Sequence, residues 1–136
     1  MTPDQRRLVK QTYEPVREMA GPLALLFYGR LFELDPSTRR LFHNDLALQG
    51  RKLMDTLDLL VASLDDFESV RARLATLGRR HRGYGVQPDQ YPAVVTAFLW
   101  ALGQALGPDF DAPTRDAWRA VLTAVSSAMQ EAAAEA

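Results

Sequence analysis

The chain contains 136 residues with a formal net charge of −1, and 24% of its residues are charged. This length fits one ordinary domain over 1–136, and the near-neutral charge gives no electrostatic reason to expect a nucleic acid or a membrane surface as partner. Because cysteine is absent and histidine occurs only twice, disulfides, cysteine nucleophiles, thiolate metal sites and three-histidine zinc sites are excluded.

Leucine and alanine dominate the composition with 20 and 19 residues, whereas valine occurs nine times and isoleucine never. Unbranched and methyl side chains favour helices, while strands favour β-branched residues, so the predicted fold class is all-α. The amino terminus has no apolar signal segment, and no run approaches the roughly 18 apolar residues of a membrane span. We therefore expect a cytoplasmic protein without membrane insertion.

Capping and breaking signals divide the chain into helices. The first helix is expected to begin at a capping box, Thr2-Pro3-Asp4-Gln5, and Gly21-Pro22 separates it from the second. Asp65-Asp66-Phe67-Glu68 is expected to open a later helix with a carboxylate cap, and that helix ends at Gly83 and Gly85. The helices are predicted at about 3–19, 23–34, 46–64, 65–83, 88–106 and 111–132, with a short turn over 36–42. Their connections are too irregular for a symmetric four-helix bundle.

A histidine continues the apolar stripe of the helix over 65–83. The stripe runs through Phe67, Val70, Leu74 and Leu77, and the next position in the helical series is His81. Two interpretations remain open at this point. The imidazole is either a ligand that faces the interior or a member of a solvated patch with the neighbouring arginines at 79, 80 and 82.

Two further polar side chains fall on apolar helical faces. Gln49 lies between Leu46 and Leu53, where a buried amide needs a hydrogen-bond partner unless it reaches solvent. Tyr28 is either core filler or a buried phenol with a partner. Because Ala24 and Gly50 are small, the helices that carry Tyr28 and Gln49 are predicted to cross closely and bring their polar ends together.

One imidazole, one amide and one phenol are too few for a structural zinc site or a Ser-His-Asp hydrolase. They are enough for an iron that a porphyrin already holds equatorially, because such an iron needs a single axial ligand from the protein.

The sequence resembles the globin family, in particular the bacterial single-domain globins and the haem domain of flavohaemoglobins. The similarity covers residues 5–130 approximately and rests on the order and spacing of four stretches. These are LLFYGRLFELDPSTRRLF (25–42), QGRKLMDTLDLLV (49–61), LGRRHRGYGVQPDQYP (77–92) and DAWRAVLTAV (116–125). The resemblance implies a globin fold with helices A, B, C, E, F, G and H around a non-covalent b-type haem, and a connector at 43–46 in place of helix D.

The resemblance assigns roles to individual residues. His81 takes the position of the proximal iron ligand, and Tyr28 and Gln49 those of the distal side chains that stabilise bound O₂. The other expected contacts of the haem pocket are Phe42, Leu53, Leu77, Val86 and Tyr91. Lys52 or one of the arginines is expected to pair with a haem propionate. His43 is expected to be a loop histidine that does not bind the iron.

The implied function is reversible binding of O₂, with NO and CO as further ligands. Nitric oxide dioxygenation with an external reductase is the alternative, and a haem-free regulatory module is a third. In flavohaemoglobins a late glutamate of helix H supports the proximal histidine; the matching position here is Ala133, with Glu131 two residues earlier. That departure weakens the enzyme interpretation. The sequence leaves open whether the protein forms a homodimer.

Overall fold

The structure is a computed structural model that describes residues 1–42 and 45–135. The described residues form six α-helices, joined by short 3₁₀ helices, and they contain no β-strand. The helices are α1 (Pro3–Glu18), α2 (Ala20–Leu34), α3 (Leu46–Ala62), α4 (Glu68–Gly83), α5 (Tyr91–Leu106) and α6 (Ala112–Glu135). Four 3₁₀ helices lie at Pro36–Leu41, Leu64–Asp66, Pro88–Gln90 and Gly107–Asp109. His43 lies outside the described residues.

The boundary between α1 and α2 differs from the prediction. The second helix begins at Ala20, three residues earlier than expected, so Gly21 and Pro22 lie inside its first turn. The first backbone N–H groups of a helix have no intrahelical acceptor, and proline therefore costs little there. The capping box at Thr2 is present as predicted, because Thr2 and Gln5 exchange hydrogen bonds between side chain and backbone.

The predicted carboxylate cap of α4 is wrong. The helix begins at Glu68, and its N-cap residue Phe67 makes no side-chain capping bond. Asp65 instead pairs with Lys10 and Arg6 of α1. A tertiary ion pair has therefore replaced the local cap, and it ties α1 to the turn before α4.

The helices bury one apolar core. Helix α4 packs mainly on α6, α2 on α5, and α3 on α2 and α1. Trp118 of α6 is fully buried, and its indole Nε1 donates to Thr12 Oγ1 of α1 at 2.9 Å. None of the helices in the described part of the chain is long and apolar enough to cross a membrane.

Candidate functional site

His81 lies in the last turn of α4 and is half-buried. Its Nδ1 is 2.8 Å from the carbonyl oxygen of Leu77. A carbonyl only accepts hydrogen bonds, so the proton belongs on Nδ1, and the neutral ring keeps its lone pair on Nε2. Burial lowers the pKa of His81, which favours the neutral ring. The imidazole is therefore oriented and neutral, as a ligand for a metal ion must be.

A glycine fixes how the chain leaves His81. Gly85 has a φ of 98°, which is left-handed and strained for other residues. The N–H of Val86 donates to the carbonyl of His81 at 3.0 Å, and the N–H of Gly85 donates to the carbonyl of Arg82 at 3.0 Å. These two bonds form a Schellman motif. The motif places Val86 directly after the histidine, where it packs against the core.

An open cleft of about 440 Å³ lies between α3 and α4. Its lining is mainly apolar, with two arginines and two threonines: Thr56, Leu59, Leu60, Val70, Ala72, Arg73, Leu74, Thr76, Leu77 and Arg80. Leu77 lies one turn before His81. On α3, the face of Leu60 and Thr56 continues by helical spacing to Leu53 and Gln49, which are both half-buried.

Helix α4 is held unusually close to α6 beside the histidine. A Cβ added to Gly78 would lie 2.2 Å from the backbone oxygen of Met129. Only glycine permits this approach, because backbone atoms cannot rotate away as a flexible side chain would. Gly78 precedes His81 by three residues, so this contact sets the position of the helical turn that carries the imidazole. The spacing of the sequence alone contains no signal for it.

Three aromatic rings form a cluster at the end of α2 and after the first 3₁₀ helix. Tyr28 is buried, and its ring centroid is 5.1 Å from that of Phe42 and 6.2 Å from that of Phe32. Burial raises the pKa of the Tyr28 hydroxyl to about 12, so this group is a neutral donor near neutral pH. No hydrogen bond to the hydroxyl occurs within residues 1–42 and 45–135.

The predicted close crossing of α2 and α3 is confirmed. A Cβ added to Gly50 would lie 2.9 Å from the Cβ of Ala24, and both residues are buried. Tyr28 lies one turn after Ala24, and Gln49 directly precedes Gly50. The crossing therefore brings the segments with the phenol and the amide into the same region, although no hydrogen bond joins the two side chains.

A buried glutamine, which was not among the residues selected from the sequence, joins the 3₁₀ helix at Pro88–Gln90 to the one at Pro36–Leu41. Gln90 donates from Nε2 to Ser37 Oγ at 3.1 Å, and its Oε1 accepts from the N–H of Gln87 at 2.8 Å. The spacing Gln87-x-x-Gln90 is that of a capping box, so the contact between these two residues could have been predicted from the sequence. The next residue, Tyr91, is buried at the start of α5, and burial raises its pKa.

No carboxylate supports His81 among the described residues. Glu131 is exposed, and the backbone carbonyl of Ala133 accepts a hydrogen bond from Arg82. The described residues also contain no group of three or more His, Asp or Glu side chains that could hold a metal ion. The acceptor for the imidazole N–H is instead the neutral carbonyl of Leu77.

Comparison with known proteins places this chain in a family. A family model of the globins matches residues 25–129. The chain is 29% identical to neuroglobin of Chaenocephalus aceratus over 140 residues, which covers 93% of this chain and 88% of that protein. It is also 29% identical to neuroglobin-1 of Oncorhynchus mykiss over 143 residues, covering 95% and 90% of the two chains.

The fold has a close structural counterpart. An engineered carbene transferase of Rhodothermus marinus, named as a candidate nitric oxide dioxygenase, superposes with a TM-score of 0.90 at 24% identity. The superposition covers 99% of this chain and 94% of that chain. The all-α fold predicted from composition is thus the globin fold, and the globin match spans all of the residues that line the cleft. The chain belongs to the globin family.

Proposed function

We propose that this protein binds O₂ reversibly at the iron of a non-covalent b-type haem, with His81 as the proximal ligand. The observation that carries the proposal is the state of His81. Its Nδ1–H donates to the carbonyl of Leu77, whose residue lines the mainly apolar cleft, and this leaves the Nε2 lone pair available. Globins bind haem, and one neutral imidazole is the axial ligand that haem iron requires.

The cleft has the chemistry of a porphyrin site. Leucine is the most frequent residue of its walls, and Phe42, Leu53 and Val86 are half-buried apolar side chains that pack against the protein core. A porphyrin would cover such surfaces, and its propionates need cationic partners at the rim. Arg73 and Arg80 line the cleft and are the side chains we assign to this pairing. The absence of cysteine excludes the thioether attachment of c-type haem.

The haem iron would supply the point at which a diatomic gas binds. The buried, neutral hydroxyl of Tyr28 and the amide of Gln49 would then donate hydrogen bonds to that gas. Hydrogen bonds are stronger when the acceptor carries charge, so these donors favour O₂, which is polarised on binding, over the less polar CO. Phe42 and Phe32 hold the Tyr28 ring in place and exclude water from it. The expected result is tight retention of O₂.

The proximal side favours binding over oxidative chemistry. The acceptor for the His81 N–H is a neutral carbonyl, whereas a carboxylate would make the ring more basic and push electron density to the iron. Because Glu131 is exposed, it does not supply this electron density through His81. We therefore assign ligand binding as the main function.

The proposal is tested by haem titration. Adding haemin to the purified protein should produce a Soret band with one haem per chain, and His81→Ala should abolish or strongly alter it. The matched control is His43→Ala, which changes the other histidine of the chain and should leave the spectrum as in the wild type. If the wild type gives no Soret band, or His81→Ala leaves it unchanged, the proposal is wrong. A protein without haem would favour the haem-free regulatory module.

The distal assignment has its own measurement. Combining Tyr28→Phe with Gln49→Leu should speed O₂ dissociation at least about tenfold, because two donors worth about 1 kcal/mol each are lost. The control is Tyr84→Phe, which removes a hydroxyl from an exposed tyrosine after α4. An unchanged dissociation rate in the double variant would show that these side chains do not touch the ligand.

Nitric oxide dioxygenation with an external reductase is the second candidate. The distal donors Tyr28 and Gln49 favour it, and the name of the Rhodothermus marinus protein points the same way. A single reaction of the O₂-loaded protein with NO is no test, because many globins react once. Sustained conversion of NO to nitrate, driven by a reductase, would establish the activity, and failure under those conditions would exclude it.

A further inference from the structure

A buried hydrogen bond joins the loop that follows His81 to the first 3₁₀ helix, which ends next to Phe42. Gln90 is only 6% exposed, and its Nε2 donates to Ser37 Oγ at 3.1 Å. A buried amide is costly unless its polar atoms are bonded, so the folded protein favours the arrangement in which these two segments meet.

Both ends of the Gln90 amide have a partner. Its Oε1 accepts from the backbone N–H of Gln87 at 2.8 Å, which leaves Nε2 to donate to Ser37. The hydroxyl of Ser37 donates in turn to the carboxylate of Asp35. The hydrogen bonds therefore run in one direction and end at a charged acceptor, which strengthens them. Gln90 is held in one orientation by partners on both segments.

A second contact lies beside this hydrogen bond. A Cβ added to Gly85 would lie 3.8 Å from Cδ2 of Leu41, the last residue of the first 3₁₀ helix. The backbone of Gly85 is therefore next to the Leu41 side chain. Because the loop meets this 3₁₀ helix at Leu41 and again at Ser37, the two segments are fixed in relative orientation as well as in distance.

The two segments adjoin groups that we assign to opposite faces of the haem. The loop is tied to the proximal side, since the N–H of Val86 donates to the carbonyl of His81 at 3.0 Å. The 3₁₀ helix is tied to the distal side, since the ring centroid of Phe42 is 5.1 Å from that of Tyr28. The bond from Gln90 to Ser37 thus links the segment after the proximal ligand to the segment that supports the distal donor.

We propose that Gln90 is a positioning residue that, through Ser37, holds the Tyr28 ring in register with the turn of His81 and so slows the release of O₂. This inference rests on the proposed function, since it needs a gas bound between these groups. Without the bond, the segment that carries Phe42 gains freedom, and the Tyr28 hydroxyl is less well aligned with the gas. CO is less polar than bound O₂ and gains less from this donor, so its release should change less.

The test compares two serine variants of the haem-loaded protein. Ser37→Ala removes the bridging hydroxyl and should speed O₂ dissociation at least about threefold, because one lost hydrogen bond changes an equilibrium several-fold. CO dissociation should change by less than about twofold, and Ser37→Thr, which keeps the hydroxyl, should restore the wild-type O₂ rate. Ser69→Ala is the matched control, since that hydroxyl makes a local bond to the carbonyl of Asp66 at 2.7 Å.

A glutamine variant tests whether the effect belongs to this bond. Gln90→Met keeps a side chain of similar size without the amide and should speed O₂ dissociation as well. Adding Ser37→Ala to it should change the rate by less than about twofold, because both substitutions remove the same interaction. Gln104→Met changes an exposed glutamine of α5 and should leave the rate within about twofold of the wild type.

Hydrogen exchange of the CO-bound protein gives a readout on the proximal side. Ser37→Ala should speed exchange of the Val86 N–H at least about threefold, because the loop is then held at fewer points, whereas Ser69→Ala should leave it unchanged. Unchanged Val86 exchange in Ser37→Ala, or O₂ and CO rates that rise equally, would overturn the positioning role while the Soret band stays normal. A wild type without a Soret band would instead overturn the proposed function, and this inference with it.

Discussion

The contact between Gly78 and Met129 yields the sharpest prediction about the position of His81. Replacing Gly78 with alanine places a Cβ 2.2 Å from the Met129 backbone oxygen and 2.7 Å from its carbonyl carbon. Carbon and oxygen atoms normally approach to about 3.3–3.6 Å, so α4 and α6 must separate by roughly 1 Å. Neither helix backbone can rotate out of the way.

The expected cost follows from two opposing terms. Overpacking of this kind costs about 1–3 kcal/mol, whereas alanine is favoured over glycine inside a helix by about 0.5–1 kcal/mol. Gly78→Ala should therefore destabilise the protein by about 1–2 kcal/mol. Because His81 lies one turn later, the variant should also release haem faster, and resonance Raman should show a shifted iron–histidine vibration.

Urea unfolding of the haem-free and haem-loaded protein measures the first effect, and transfer of haem to an excess of apomyoglobin measures the second. Two glycines serve as controls, since a Cβ at Gly29 or Gly83 would meet nothing within 4 Å. Gly29 lies inside α2, so Gly29→Ala should stabilise the fold slightly. Gly83 lies in α4 itself, and Gly83→Ala should leave haem release unchanged. If Gly78→Ala is as stable as the wild type and keeps its haem equally well, the close approach does not position the histidine.

Three further predictions concern the stability of the fold. Gly85→Ala should destabilise the protein by about 1–2 kcal/mol in urea unfolding, because its φ of 98° is strained for any side chain with a Cβ. Thr12→Val should cost about 1–3 kcal/mol by leaving the buried Trp118 indole N–H without its acceptor, whereas Thr12→Ser keeps the hydroxyl and should cost less. Hydrogen bonds from Thr114 lower the pKa of Asp111 in the folded protein. The ionised carboxylate therefore stabilises the fold at pH values above the ordinary pKa of aspartate, and this stabilisation is lost as the pH falls through the lowered pKa. Asp111→Asn should therefore lose less stability than the wild type between about pH 5 and pH 2 in thermal unfolding; an identical pH dependence would contradict the role of this cap.

Local pattern was enough to predict the helices and several candidate site residues. The apolar series that ends at His81 depends on helical periodicity alone, and the structure places that residue half-buried in the last turn of α4. The crossing at Ala24 and Gly50 was also predictable, because small residues near two polar positions suggest a close approach. The iron-ligand role of His81 and the donor roles of Tyr28 and Gln49 remain predictions.

Contacts between distant parts of the chain were not predictable from the sequence. Gly78 and Met129 are 51 residues apart, and nothing near either residue marks their approach. The bond between Gln90 and Ser37 likewise joins residues that are 53 positions apart. The expected cap at Asp65 failed for the same reason, because an ion pair with Lys10 of α1 competes with the local interaction. Periodicity reports which face of a helix is apolar, but not which distant backbone it meets.

Two glycine contacts hold the helices that form the two walls of the cleft. Helix α3 packs mainly on α2 and α1, and α4 mainly on α6, so the two walls are held by different neighbours. The α3 wall is fixed where Gly50 meets Ala24, next to Gln49, and the α4 wall where Gly78 meets Met129, one turn before His81. A slot between two helices would otherwise close by apolar packing, because protein interiors are dense and voids are costly. Since each wall is held from behind, the cleft can stay open between them, and a substitution at either glycine should move one wall alone.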